Sequence, residues 1–439
     1  MTKLPSKWLA LLSGVVFTAG AMVAQDNRPL IDLLLKKGIV TDQEAEQLQA
    51  ELAKNTAANT SASKLDLFSG LTELRISGDL RIRYEYREGQ SPSGDDVERS
   101  RFRYRLRPTI TGQLGSDWFF GFRLENGSGN RSSNGTFSDS AGPWNKTNDG
   151  VYVGQVYLGY RASPDLTIFA GRMPNPFVST SMVWDPDINP AGIAEQYKTT
   201  TGDMTYFANF GQLLYDSANP QNSLAPTVSR QDQYLLGWQG GATFKLNETD
   251  SLQFAPTIYE YVNNKLTSKN FAGAFGPSNT AAINNLFVLD MPFEFDFTMP
   301  GAAPSRIFSD IAYNMDGKKR ADKFGRPDLE NQVYAWQLGY QYGKAKHKGE
   351  WDAKVFYQST DLFAVDPNLV DSDLFDSRVN MNGAVFTANY LITDAVTVTF
   401  TYANGEASNK TAVTAGSGDL SMPALNKFNL VQFDVVAKF

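Results

Sequence analysis

The stretch LRISGDLRIRYEYR, Leu74 to Arg87, decides the fold. Its even positions are Leu74, Ile76, Gly78, Leu80, Ile82, Tyr84 and Tyr86; its odd positions are Arg75, Ser77, Asp79, Arg81, Arg83, Glu85 and Arg87. Successive side chains of a strand point to opposite faces, so this segment has one apolar and one charged face. The next segment repeats the pattern. Phe102, Tyr104, Leu106 and Ile110 fall on one side, and Arg101, Arg103, Arg105, Arg107, Thr109 and Thr111 on the other. Two such strands suit a soluble sandwich as well as a barrel, so the number of segments has to separate them.

From Leu71 to Phe439, strand-like runs are joined by links that are alternately short and long. Short links fall at Gly115-Ser116, Ala162 to Asp165, Thr200 to Gly202, Asn247 to Asp250, Pro300 to Pro304, Lys344 to Lys348 and Ile392 to Asp394. Long ones fall at 88–99, 126–150, 173–195, 212–232, 262–284, 315–330, 360–377 and 405–426. Seven short links interleaved with eight long ones predict 16 antiparallel strands; without the weakest pair, near 285–314, the number is 14. Short turns at one rim and long loops at the other are the asymmetry of outer-membrane barrels. The rows Trp118, Phe120, Phe122, Leu124 and Tyr334, Trp336, Leu338, Tyr340, Tyr342 read as lipid-facing, as do Val396, Val398, Phe400 and Tyr402 opposite Thr397, Thr399 and Thr401. The expected fold is an all-β transmembrane antiparallel β-barrel over 71–439.

Bulk properties agree with that expectation. The mean hydropathy is -0.33, and after the N-terminus no run approaches the roughly 18 apolar residues of a membrane helix. A closed barrel can still span lipid, because every backbone polar group finds its partner within the sheet. Cysteine is absent, which excludes disulfides and thiolate metal sites. The formal charge is -7, and it becomes -9 without Lys3 and Lys7, so the chain is a poor nucleic-acid binder. The arginine rows are therefore a local feature.

Residues 1–24 read as a secretory signal: Lys3 and Lys7, an apolar run from Trp8 to Val16, then small residues with cleavage after Ala21 or Ala24. Residues 25–54 read as a periplasmic helical leader. Leu30, Leu33, Leu34 and Lys37 follow a helical period, Gly38 closes the first helix, and Thr41 to Glu44 form a capping box before Ala45, Leu48 and Leu52. Residues 55–70 read as a linker. The leader is expected to self-associate or to pack under the barrel; a tether to the cell wall is the alternative.

At the far end Val431, Phe433, Val435, Ala437 and the terminal Phe439 form an apolar row, with Gln432, Asp434 and Lys438 facing inward. The row resembles the assembly signal of Gram-negative outer-membrane barrels, carried here by Phe433, Val435, Ala437 and Phe439. AGRMPNPF at Ala170 to Phe177, followed by VWDPD at Val183 to Asp187, resembles the stretch entering the third loop in the putative-porin family. The leader is similar to that of the same group and of phosphate-selective porins. The Pro-Glu-Phe-Gly-Gly of the general porins' third loop is not present. The resemblance implies an outer-membrane homotrimer, inserted by the barrel-assembly machinery, surrounded by lipid and lipopolysaccharide, and working without a cofactor. It also implies that the third long loop, 173–195, folds into the lumen.

A barrel of about 16 strands is wide enough for an aqueous channel, so function depends on what narrows it. The candidate constriction residues are Phe177, Trp184, Asp185, Asp187 and Glu195, on a backbone stiffened by Pro174, Pro176, Pro186 and Pro190. The candidate pore-lining basic wall is Arg75, Arg81, Arg83, Arg87, Arg101, Arg103, Arg105, Arg107 and Arg123. If the loop acids face this wall, a transverse field crosses the passage; the simpler reading pairs the arginines with Asp79, Glu85 and Glu125. Asp95, Asp96 and Glu98 read as a solvated loop, with divalent ions and lipopolysaccharide as the alternative. The basic residues Lys318, Lys319, Arg320, Lys323 and Arg326 also read as solvated. Catalysis is not expected: the single histidine, His347, falls in a short turn among lysines, and neither a metal-ligand cluster nor a nucleotide fingerprint stands out. An energy-driven transporter would need about 22 strands and a plug. The sequence therefore points to a passive porin for small hydrophilic solutes and ions, with an anion- or phosphate-preferring channel or a cell-wall anchor as alternatives.

Overall fold

The computed structural model describes residues 70–127, 131–138, 144, 150–216, 232–262, 284–416 and 418–439. The signal, the helical leader and the linker up to residue 69 lie outside the described residues. Sixteen antiparallel strands form one closed sheet. The first eight are β1 (Leu71–Gln90), β2 (Asp96–Leu114), β3 (Trp118–Asn126), β4 (Val151–Arg161), β5 (Leu166–Arg172), β6 (Ala191–Thr201), β7 (Met204–Asp216) and β8 (Gln233–Lys245). Two interrupted strands follow: β9 (Ser251–Phe254 and Thr257–Val262) and β10 (Phe287–Asp290 and Phe293–Phe297). The rest are β11 (Ser305–Asn314), β12 (Tyr334–Tyr342), β13 (Trp351–Thr360), β14 (Met381–Thr393), β15 (Val396–Ala407) and β16 (Lys427–Lys438). The weak region near 285–314 thus holds two strands, and the number is 16 rather than 14.

Closure comes from β16 pairing with β1, in register from Asp79 opposite Lys438 to Gln90 opposite Lys427. Phe439 completes the seam. Its N–H donates to the Gly78 carbonyl at 3.1 Å, and its carbonyl accepts from the Gly78 N–H at 2.8 Å. A Cβ at Gly78 would lie 2.6 Å from the Phe439 ring, so only glycine leaves room for that ring.

The alternation reads directly as two faces. Arg83, Glu85 and Arg87 on the inward side of β1 are buried, whereas Leu80 and Ile82 on the outward side are 40% and 41% exposed. Leu338, Val355, Phe400 and Phe433 continue this exposed apolar surface around the barrel. Such a surface is a liability in water and matches a hydrocarbon layer.

The loops differ from expectation in extent. The first link is a turn at 91–95 rather than a loop over 88–99, because β1 and β2 stay paired to Gln90 and Asp96. The third long link covers 173–190, since β6 starts at Ala191. Residues of this link (Phe177, Met182, Val183, Trp184), of the link at 315–333 (Ala321, Leu329) and of the link at 361–380 (Phe363, Val365, Leu369) form one apolar cluster. The cluster includes Leu213 of β7, Leu235 of β8, Tyr259 of β9, Val288 of β10, Ala312 of β11 and Ala335 of β12. A second cluster joins Phe375, Leu420 and Met422 to Phe356 of β13, Val385 of β14, Ala403 of β15 and Leu430 of β16.

Candidate functional site

Strand register dictates the charge problem on the wall. Arg81 lies opposite Arg105 and Arg83 opposite Arg103, while Asp79 faces Arg107 and Glu85 faces Arg101. Like charges directly opposite destabilise a sheet, so carboxylates must come from elsewhere. Strand neighbours supply some: Asp434 of β16 accepts two hydrogen bonds from Arg83, at 2.6 and 2.7 Å. Glu85 pairs with Arg87 at 2.8 Å, Arg101 at 2.6 Å and Arg103 at 3.4 Å. Asp79 pairs with Arg105 and Arg107, and Glu125 with Arg123.

Loops supply the remainder. Asp187 lies 3.0 Å from Arg107 and 3.5 Å from Arg105, and it also accepts from the Ser133 hydroxyl. Asp373 meets Arg83 at 2.5 Å, Arg87 at 3.0 Å and Arg103 at 3.7 Å. Asp419 contacts Arg101, and Asp376 lies 3.5 Å from Arg87. Arg81 donates to Asn134 and lies 3.8 Å from Asp434. Eight of the nine expected wall arginines are thus ion-paired, through the strand carboxylates the simpler reading named and through loop acids together. Arg75 stands apart, exposed near the end of β1 opposite Thr111.

The loop carboxyls respond to these surroundings in opposite directions. Burial pushes Asp187 up, but Arg105, Arg107 and Arg81 outweigh it and hold the group below its ordinary value. Partial burial raises Asp373 as well, but Arg83, Arg87 and Arg103 hold it well below the usual carboxylate range. For Asp185, burial, then Asp371 and Asp187, outweigh the charge of Arg131 and push the group well up. Its carboxylate accepts the N–H of Asp187 at 2.8 Å and of Ser372 at 2.7 Å.

The remaining candidate loop residues divide clearly. The Phe177 ring meets Tyr259 edge-on at 5.5 Å and lies over Gly211 and Gly237, where a Cβ would come within 2.7 and 2.3 Å of it. Trp184 donates its indole N–H to the Ile188 carbonyl and packs beside Tyr259. Both rings are buried anchors. Glu195 is a correction: it belongs to β6, not to the loop. Ala194 is fully buried and Gln196 donates to the Pro176 carbonyl, so Glu195 shares the opposite, outward face with Ile193 and Tyr197.

Sequence reasoning missed the seventh long loop. Asp366 accepts from Tyr215 of β7 at 2.8 Å, and the Phe363 carbonyl from Asn314 of β11 at 2.7 Å. Its acids at 366, 371, 373 and 376 were the available signal, since an arginine-rich wall needs counter-charges. Elsewhere, Asp95, Asp96 and Glu98 are held by Ser91 and Ser93, by Gln90 and by Tyr86. In the basic patch, Arg320 is fully buried and donates to the Asn284 carbonyl, so it is not solvated; Lys318, Lys319 and Arg326 pair with Glu330, Asp316 and Asp328. His347 is exposed in the turn between β12 and β13.

Residues 89–286 match the family described as "Putative porin". Over that span the chain is similar to the putative-porin family. That match and the closed barrel together support an outer-membrane channel. Among solved structures, the outer membrane channel DcaP of Acinetobacter baumannii is 14% identical, with 84% of this chain and 98% of that chain covered and a TM-score of 0.45. The anion-selective porin from Comamonas acidovorans is 12% identical, with 84% and 99% covered and a TM-score of 0.47. A multiply substituted Rh. blastica porin is 11% identical, with 83% and 100% covered and a TM-score of 0.43. No curated protein matches the chain.

Proposed function

We propose that this chain forms a water-filled pore for passive diffusion of small hydrophilic solutes and ions, narrowed by residues 173–190. One observation carries the reading: a closed barrel that is apolar outside carries on its inner face a lattice of arginines and carboxylates whose counter-charges come partly from loops. Asp187 reaching Arg105 and Arg107 supports a loop that crosses toward the wall, and Phe177 and Trp184 supply the apolar grip. Purified mature protein in a planar bilayer should give current steps that grow with salt concentration. Its failure to conduct after verified insertion would reject the proposal.

An anion- or phosphate-preferring channel has less support, because eight of the nine arginines are already paired. The cell-wall anchor rests on the leader, outside the described residues. Export by the 1–24 signal, a periplasmic leader at 25–54, a linker at 55–70 and recognition of Phe433, Val435, Ala437 and Phe439 by the assembly machinery belong to the same proposal.

So does a homotrimer. β5 has 7 residues, short of the roughly 9–11 that a tilted transmembrane strand needs. Beside it, Glu195 lies in register between Ile168 and Phe210 on the outward face, with one carboxylate oxygen buried and unbonded. A carboxyl facing hydrocarbon is costly, and a neighbouring subunit over β5 and β6 would remove that exposure.

A further inference from the structure

We infer that the seventh long loop is the second boundary of the passage and that Asp373 sets the pore's charge preference. The inference rests on the channel reading above.

The loop can be followed from one side of the barrel to the other through its contacts. Near its start it is tied to β11 and β7 by Asn314 and Tyr215. Arg131 then donates to the Pro367 carbonyl at 2.7 Å. Next the loop joins the third long loop: the Asp185 N–H donates to the Leu369 carbonyl at 2.6 Å, and the Asp371 N–H to the Ser181 carbonyl at 3.1 Å. One residue after Ser372, Asp373 lands on Arg83 and Arg87 of β1 and on Arg103 of β2. Strands β7 and β11 lie far around the sheet from β1, so a segment bonded to both sides spans the interior.

Charge and access single out Asp373 within this segment. The Arg83 and Arg87 side chains are 5% and 0% exposed, whereas the Asp373 side chain is 21% exposed. Water and ions therefore reach this cluster through the carboxylate more than through its guanidiniums. Unlike Glu85 and Asp434, Asp373 comes from a loop, so the strand lattice closes without it and is left with surplus positive charge. The wall built by β1 and β2 is cationic in sequence; Asp373 masks it together with the loop acids Asp187, Asp376 and Asp419, and Asp373 is the one set on Arg83, Arg87 and Arg103 by the segment that crosses the interior. A passage lined by the unmasked cluster would draw anions; lined by the masked cluster it is close to neutral.

The test is the reversal potential across a bilayer under a potassium chloride gradient, for wild type and Asp373→Asn. Removing the charge while keeping side-chain shape should lower the cation-to-anion permeability ratio by about twofold or more. Conducting Asp373→Asn channels with the wild-type ratio overturn the inference. Should that variant fail to fold, Ser372→Cys keeps all three ion pairs in a chain with no other cysteine. Its modification by a sulfonate-bearing and an ammonium-bearing thiol reagent should move the ratio in opposite directions, and no movement with either overturns the inference. Wild-type protein that never conducts overturns the channel reading itself, whereas steps with an unmoved ratio overturn only the role of Asp373.

Discussion

The contact between Phe177 and the wall allows a quantitative test of how the third long loop is held. Phe177 is 6% exposed, and its ring occupies the notch left by Gly211 and Gly237. Truncation to alanine removes a buried aromatic ring and leaves the notch empty, a change that costs about 3–5 kcal/mol in well-packed interiors. The reverse perturbation is Gly237→Ala, which puts a methyl 2.3 Å from the ring tip, well inside contact distance. Overpacking of this kind costs about 1–3 kcal/mol. In the double variant the ring is gone and the new methyl has space, so the second cost should largely vanish. The double-mutant cycle should therefore show a coupling of about 1–3 kcal/mol, far above the scatter of independent sites. Urea unfolding of the four proteins from lipid vesicles, followed by tryptophan fluorescence, gives the energies. Additive effects within about 0.5 kcal/mol would refute the seating of Phe177 against β8.

Three other outcomes are expected. Glu195→Leu should leave the barrel folded but should not weaken the oligomer if lipid covers β6; loss of trimer on native electrophoresis, or gain of stability as a monomer, decides which neighbour covers it, and the homotrimer proposal expects loss. Gly78→Val should displace the Phe439 ring and lower the fraction of heat-modifiable, closed barrel on electrophoresis, whereas the same change at exposed Gly240, where a Cβ meets nothing within 4 Å, should not. Burial, then Asp373, push the Asp371 carboxyl up to about 6. Because the unfolded carboxyl ionises near 4, the penalty on the folded loop grows between about pH 4 and 6 and is complete above that. Acidification from pH 7 to 5 should therefore seat the loop more firmly and quieten current noise, and Asp371→Asn should shrink that pH step, leaving the part carried by Asp185.

How much of this was legible depended on whether the information was local. Alternation from Leu74 to Tyr86 gave the strand and both its faces, because a two-residue period needs only neighbouring positions. The link pattern gave the strand number for the same reason: each turn is closed by residues within it. Loop limits were less legible, since Gln90 and Asp96 read as turn residues and yet extend the β1–β2 ladder. Glu195 was misplaced because an acidic residue after a Pro-rich loop looks like loop, and only the parity of Ala194 and Gln196 reveals its face. The arginine wall was visible, but its partners were not. Asp373 is 290 residues from Arg83, and nothing in the run from Asp361 to Ser377 has a strand or helix period. Counter-charge bookkeeping would have asked where the missing carboxylates come from without saying which loop supplies them.

The central claim is that outward rows meet lipid while the charged face encloses water, and single cysteines placed along β15 test it most directly. Spin labels at positions 396 to 402 can be read for collisions with molecular oxygen, which concentrates in lipid, and with a water-soluble nickel chelate. Positions 398, 400 and 402 should favour oxygen, and 397, 399 and 401 the chelate, in strict alternation. Loss of that alternation, or equal access of the chelate to both faces, would contradict the account.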